Sequence, residues 1–360
     1  MKVNMMRDLT SLDLKFLVPE FEKLKGGRIQ KIYQKEKTIW MEVFVSGHGT
    51  KYFYFTPGKL FISDKKISAP MNPASFAMLL RKYLSGQKII DVYQPGFERI
   101  LNIETEHYFL HLEIFSKGNV ILCDKAGVII QPMEKQHWKD RNIYPGKEYR
   151  YPPEILNPFE MGIQEYEEAF KDKKKQIVIF FAIRMGLSGI FAEEICARAG
   201  IEKSTPCQDL TEDQVVKLRD TILSIQPRPV MINDTPYPIE MKTVGVGEPI
   251  PSFLDELDKF YLKDVGTPEQ LPDNRQERIL VVQEKSAEKW EQKEEDRKEK
   301  AEILQRNFDK VDGIVKGLND ARDHGLSWDE IKQKVKSDPV LSKIISEIKE
   351  SEGKVILELD

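Results

Sequence analysis

The period of the apolar residues changes twice along the chain, and no single sheet, bundle or fibre satisfies all three patterns. Between residues 28 and 123, short runs rich in β-branched and aromatic residues occupy 28–34, 38–45, 51–56, 60–63, 88–93, 99–104, 108–115 and 120–123. Ser46-Gly47-His48-Gly49, Pro57-Gly58 and Lys117-Gly118-Asn119 supply turns between them. Two antiparallel strand sets are expected, with an amphipathic helix over 75–84 between them, where Phe76, Leu79, Leu80 and Tyr83 share one face. A first helix over 11–25 begins at Thr10-Ser11-Leu12-Asp13, a hydroxyl cap with an acid in the first turn, and carries Pro19 as a kink. From Pro158 the spacing turns helical, with helices expected over 163–171, 176–185, 188–199 and 211–225. Past Pro268 it becomes a charged heptad seam running through Leu280, Trp290, Ala301, Leu304, Phe308, Val311 and Val315 to Leu318.

The fold class that follows is α+β in several modules, since 360 residues exceed what one compact core holds. The expected divisions are a β-rich domain at 1–157, a helical domain at 158–226, an extended segment with one helix over 252–262 at 227–266, a coiled-coil arm at 267–325 and a small tip at 326–360. In the tip, helices are expected over 327–335 and 340–349, then a strand-like run over 354–359. The arm has no partner helix in this sequence, which suggests self-association or a continuation beyond residue 360. The longest apolar runs, such as 177–183, are far shorter than the roughly 20 residues that span a bilayer, so no membrane association is expected. No apolar signal segment precedes the first charges. Cys123, Cys196 and Cys207 are few, odd in number and far apart, which fits a reducing cytoplasm and neither a disulfide framework nor a zinc site.

Net charge is −4, but its distribution is more informative than its value. Residues 1–150 hold 24 Lys and Arg against 16 Asp and Glu, a balance of +8, while 151–265 carry −7 and 266–360 carry −5. The basic segment also holds 20 of the 34 aromatic residues. That mixture suits phosphate neutralisation with stacking on bases; a β-rich core filled by aromatics explains it equally well.

Catalytic constellations are missing from the sequence. His107 and His111 sit four apart, which on a strand separates them by ~13 Å. Gly245-Val246-Gly247 lacks the setting of a dinucleotide loop, and Ser116, Ser188 and Cys123 have no identifiable base. No cofactor, metal or catalytic residue is expected. What stands out is polar and basic: Asp13 in the first helix, the Glu98-Arg99 pair at the head of a strand, and Arg28, Lys31, Arg81, Lys82 and Lys117 as candidate phosphate contacts. Arg99 is suited to clamp a phosphate or stack on a base, and Glu98 or Asp13 to accept from a base edge. A sheet-edge ion pair is the competing reading of Glu98-Arg99. Gly186-Leu187-Ser188-Gly189 joins two expected helices as in a helix-hairpin-helix, whose amides and helix start hold a phosphate, so Gly186, Ser188 and Gly189 are added to the candidates.

These motifs carry a resemblance. Ser11-Leu12-Asp13-Leu14, the stretch 28–34, Phe76 to Leu84, Gln94-Pro95-Gly96-Phe97-Glu98-Arg99-Ile100-Leu101 and Glu113 to Leu122 come in the order seen in the NFACT family, whose members include RqcH, NEMF and FbpA proteins. The chain resembles archaeal members in its spacing after Glu98-Arg99. The resemblance implies a non-enzymatic, ribosome-associated quality-control factor. Such a factor binds the large ribosomal subunit obstructed by peptidyl-tRNA and recruits aminoacyl-tRNA, alanyl-tRNA for RqcH-like members, for mRNA-independent tailing of the stalled chain. It assigns tRNA binding to Asp13, Glu98 and Arg99; the family has aspartate where this chain has Glu98, one methylene longer. It also implies an amino-terminal domain resembling that of Fpg-type DNA glycosylases, and a chain truncated before the family's carboxy-terminal RNA-binding domain. A nucleic-acid processing enzyme on that scaffold is the alternative, opposed by the lack of the glycosylase proline, glutamate and zinc finger. A surface adhesin, suggested by the name of one family branch, is the third reading.

Overall fold

A computed structural model of the chain describes residues 7–138, 140–153, 155–265, 294, 297–298, 301–349 and 354–358. Two compact units divide near residue 269. The first is built from two antiparallel sheets and a helical layer.

Helix α1 (Ser11–Phe21) opens it, capped as the sequence implies, and a 3-10 turn over Glu22–Leu24 replaces the expected last turn. Strands β1 (Arg28–Lys35), β2 (Thr38–Val45), β3 (Gly49–Thr56) and β4 (Lys59–Ser63) form a meander in sequence order. Across it runs a column of rings, because the ladder pairs Tyr33 with Trp40, Trp40 with Tyr54 and Tyr54 with Phe61. Their centroids lie 5.4, 6.1 and 4.8 Å apart, each pair stacked. Each such pair contributes about 0.5–1.5 kcal/mol beyond its burial.

Helix α2 (Ser75–Leu84) follows, then a five-stranded sheet of β5 (Ile89–Tyr93), β6 (Ile100–Thr105), β7 (Tyr108–Glu113), β8 (Asn119–Asp124) and β9 (Ile129–Pro132), again in order. The fifth strand was not expected, nor was the two-residue ladder of β10 (Gln136–His137) with β11 (Asn142–Ile143). Backbone hydrogen bonds between 26–29 and 86–89 join the edges of the two sheets, and one apolar core lies between them. Most aromatics of the basic segment belong to that core: Trp40, Phe53, Tyr54, Phe55 and Phe61 are all buried.

The helical layer comprises α3 (Ile163–Phe170), α4 (Ile177–Arg184), α5 (Ser188–Ala199) and α6 (Glu212–Leu223), within one to two residues of expectation. Strands β12 (Val230–Ile232), β13 (Thr235–Tyr237) and β14 (Glu248–Pro249) cover part of it. Helix α7 (Phe253–Val265) returns to the sheets, placing Tyr261 5.9 Å from Phe61. Helix α1 serves both layers: Leu14, Leu17 and Phe21 join the sheet core, while Leu12 and Phe16 pack with the helical layer. A helix buried on two sides fixes how the layers meet.

Most of the expected coiled-coil arm lies outside the described residues. Of its seam, Leu304, Phe308 and Val315 are exposed. Helix α8 (Phe308–Asp323) instead turns Ile314, Leu318 and Ala321 into the small core of the second unit. Helix α9 (Trp328–Ser337) starts at a Ser327–Glu330 capping box. The expected helix over 340–349 is corrected: only α10 (Leu341–Ile344) is helical, and β15 (Ile345–Lys349) pairs with β16 (Lys354–Leu357). Period-two partners Ile348 and Val355 decide this, because a strand lets both join that core. Among the described residues no helix is long and apolar enough to cross a membrane.

Candidate nucleic-acid interface

The turn from β5 into β6 carries Glu98 and Arg99. Phe97 is its anchor: buried in the helical layer, its ring lies 5.4 Å from Phe159. The amide of Gln94 fixes the turn from the side, donating to the carbonyls of Ser11 (3.1 Å) and Glu98 (2.7 Å). The Glu98 carboxylate accepts from the Ile155 N–H at 3.2 Å and so ties Ile155 to the turn. Arg99 is held by its backbone, where its carbonyl accepts from Ile114. Its guanidinium is half-buried and makes no hydrogen bond or ion pair with any described residue.

Arg99 opens into a cleft of about 380 Å³ lined by Ser11, Glu98, Phe115, Pro152, Pro153, Ile155, Ala182, Ile183, Gly186 and Ser188. The far wall is the α4–α5 hairpin. Gly186 has φ +62°, a conformation that favours glycine, and a Cβ there would meet Ile155 Cδ1 at 2.3 Å, so the end of the Ile155 side chain would have to move aside for any larger residue. Ser188 also has φ +62°, a conformation that costs a β-carbon-bearing residue of order 1–3 kcal/mol. Its Oγ is buried with no hydrogen-bond partner. Among the described residues, Arg99 is the only cationic one lining the cleft. A guanidinium and a hydroxyl without partners among the described residues, together with the start of α5, can accept an anionic oxygen ligand on one small cleft.

The other candidates divide among three situations. Asp13 is fully buried: Arg7 Nη1 and Nη2 donate to its two oxygens at 2.7 Å each, and the N–H and Oγ1 of Thr10 donate to Oδ2 at 2.8 Å. Burial opposes the charge on Arg7, but the paired carboxylate outweighs it and raises the guanidinium pKa. In this structure Asp13 caps α1 and pairs with Arg7, and its carboxylate, expected from the sequence to accept from a base edge, has no exposed surface. Gly189 is exposed in the first turn of α5, and Lys117 is exposed two residues beyond Phe115; neither lines the cleft.

Arg28, Lys31, Arg81 and Lys82 form a separate patch on β1 and α2. The cationic groups of Lys31, Lys66 and Arg81 sit 5.4, 4.8 and 5.3 Å from the Tyr33 ring centroid, and Tyr33 OH donates to Glu42. Arg81 Nε also donates to the Ile32 carbonyl at 2.5 Å, and Arg28 to that of Gly86. Lys82 is exposed beside Tyr83.

Sequence reasoning missed the layer behind Phe115. Arg141 lies over the Phe115 ring and donates from Nη2 to both oxygens of Glu113, at 2.8 and 2.7 Å, while Tyr149 OH donates to Glu113 Oε1. His111 stacks on Tyr149 at 3.9 Å and bonds Asn102, which in turn donates to Tyr151 OH. Burial pushes the His111 pKa down to about 3, so the ring is neutral. Burial and the Glu113 charge raise that of Tyr149. The network ends at Tyr151, next to Pro152 and Pro153 of the cleft. Its members are scattered from 102 to 151, so no local spacing marks them.

The family model described as NFACT N-terminal and middle domains matches residues 10–341. The archaeal Rqc2 homologue aRqcH of Methanocaldococcus jannaschii is 30% identical over 99% of this chain and 58% of its own length. The mouse ribosome quality control complex subunit NEMF is 22% identical over 89% of this chain and 35% of its own. The chain thus spans less than two thirds of these curated relatives. The solved N-terminal part of a fibronectin/fibrinogen-binding protein from Streptococcus suis, 23% identical, superposes with a TM-score of 0.59 over 71% of this chain and 99% of its own, so the two share a fold.

Proposed function

The chain belongs to the NFACT family, and we propose that it is a tRNA- and ribosome-binding part of a ribosome quality-control factor. In this reading it engages a large ribosomal subunit still carrying peptidyl-tRNA and recruits aminoacyl-tRNA, alanyl-tRNA by its likeness to RqcH, for mRNA-independent extension of the stalled chain. Its own contribution is binding; peptide-bond formation belongs to the ribosome. The observation that carries the reading is the cleft shared by Arg99 and Ser188, whose guanidinium and hydroxyl have no hydrogen-bond partner among the described residues where two layers meet. A buried hydroxyl without a partner, such as that of Ser188, is retained at a cost of about 1–3 kcal/mol unless a ligand satisfies it. A phosphate or base edge of tRNA in the cleft does so, and the basic patch of β1 and α2 supplies further phosphate contacts.

Crosslinking followed by sequencing of the bound RNA tests this, using the intact chain and its Arg99→Ala variant. The expected result is tRNA recovered with the parent chain and lost with the variant, with the slope of log affinity against log salt falling by about one unit. Unchanged tRNA recovery from Arg99→Ala, together with activity on DNA, overturns the reading in favour of a processing enzyme.

A further inference from the structure

We propose that Arg7 is a positioning residue for the cleft, holding its two walls in register through Asp13 on one side and Phe191 and Tyr237 on the other. This rests on the reading of the cleft as a tRNA site. Arg7 lies outside the cleft lining, yet its contacts reach the element behind each wall. Towards the first wall, its fork grips Asp13, which closes the cap of α1 two residues after Ser11. Ser11 lines the cleft, and its carbonyl holds Gln94, which holds Glu98. Towards the second wall, the guanidinium carbon lies 4.7 Å from the Tyr237 ring centroid and 5.9 Å from that of Phe191, and Nη2 donates to the Pro236 carbonyl at 3.1 Å. Phe191 is fully buried, one turn of α5 beyond Ser188. The Arg7 carbonyl in addition accepts from Tyr261 of α7.

A single planar cation thus binds a carboxylate, a carbonyl and two ring faces drawn from α1, β13 and α5. Lysine has the charge but not the fork, and cannot make the two parallel bonds to Asp13 while also reaching Pro236. Through this pin Asp13, which has no exposed surface, acts on the cleft without touching a ligand.

The test uses the intact chain with Arg7→Lys, Asp13→Asn, the double variant and Arg99→Ala as the contact control. Amide hydrogen exchange reads the pin without any RNA. The expected result is exchange at 186–192 faster by about tenfold or more in both single variants, with amides of β6 to β8 unchanged. Affinity for tRNA, measured on the active fraction, is expected to fall about tenfold in each. The salt slope and the choice among tRNAs stay as in the parent, and the double variant is no weaker than either single one. Arg99→Ala should do the reverse, lowering the slope while leaving exchange alone. Should Asp13→Asn disturb α1 itself, Arg7→Lys, which leaves the Thr10 cap intact, decides. Unchanged exchange at 186–192 in Arg7→Lys overturns the proposal. So does an altered tRNA choice in Asp13→Asn alone, which indicates direct contact. A parent chain that binds no tRNA refutes the RNA reading, and the exchange result then still decides for or against the pin.

Discussion

Acidification should loosen the five-stranded sheet, and His111 is the group that makes this happen. Its ring is 5% exposed, flat against Tyr149 and bonded to Asn102, and burial holds its pKa near 3 against 6.5 in the unfolded chain. The sign follows from proton uptake. As pH falls through 6.5 the unfolded chain gains a proton that the folded chain refuses until near pH 3, so stability is complete above 6.5 and is lost progressively below it. Between pH 7 and pH 5 the loss from this residue is about 2 kcal/mol, and the figure hardly depends on where below about 4 the folded value lies. His111→Gln keeps an N–H donor for Asn102 but does not titrate. It should lower stability by a roughly constant 0.5–1.5 kcal/mol through lost stacking and remove most of the pH-dependent part. The opening free energy of β7 amides, measured by hydrogen exchange at pH 7, 6 and 5 and corrected for intrinsic rates, reads this directly. If the parent and His111→Gln lose the same amount on going to pH 5, the neutral buried imidazole is not the cause and the reasoning fails.

The Glu113–Arg141 pair, with side chains only 2% and 6% exposed, should resist single but not paired replacement. Glu113→Gln is expected to cost about 3–5 kcal/mol in chemical denaturation, and Glu113→Leu with Arg141→Met to recover much of it. Gly186→Ala should destabilise the hairpin by about 1–3 kcal/mol and speed exchange at 186–192, with partial relief when Ile155→Ala removes the clashing methyl. In the basic patch, Lys82→Ala should leave denaturation within about 0.5 kcal/mol of the parent. Arg81→Ala should cost about 1.5–3 kcal/mol, because it also strips the Ile32 carbonyl of a charged donor.

The sheets were legible because period two, β-branching and turn chemistry agree there: the limits of β2 and α2 match the sequence reading residue for residue. Legibility failed where local preference was weak and a distant partner decided. Residues 345–349 are compatible with a helix, and only the ladder with 354–357 makes them a strand. Strand β9 carries Pro132 at its end and is fixed by its pairing with β8. The +8 charge and the aromatic excess were both real, yet they mean different things, since most of the rings fill the core and the exposed remainder is small.

Residue types at the site were readable; their partners were not. Ser11-Leu12-Asp13-Leu14 belongs to the family resemblance while Thr10 to Asp13 is the signature of a capping box, and the structure uses the carboxylate for the box and for Arg7. Glu98 and Arg99 are neighbours in sequence but part company in space, the acid bonding the Ile155 backbone and the guanidinium finding no partner among the described residues. Ser188, which in sequence is one of many helix-start serines, differs from the rest by a positive φ and an unpaired buried hydroxyl. Arg99 and Ser188 are 89 positions apart, so only the packing of α1 and Phe97 between the layers brings them to one cleft. If that packing is what makes the site, then disturbing it from behind should mimic loss of Arg99 in affinity while sparing the salt slope. Leu12→Ala, which opens a cavity in the helical layer beneath Ser11, is expected to cost about 2–5 kcal/mol in stability and to weaken tRNA binding per folded molecule without changing that slope. A reduced slope in Leu12→Ala would mean that a charged contact has moved with the helix, and that α1 carries part of the interface itself.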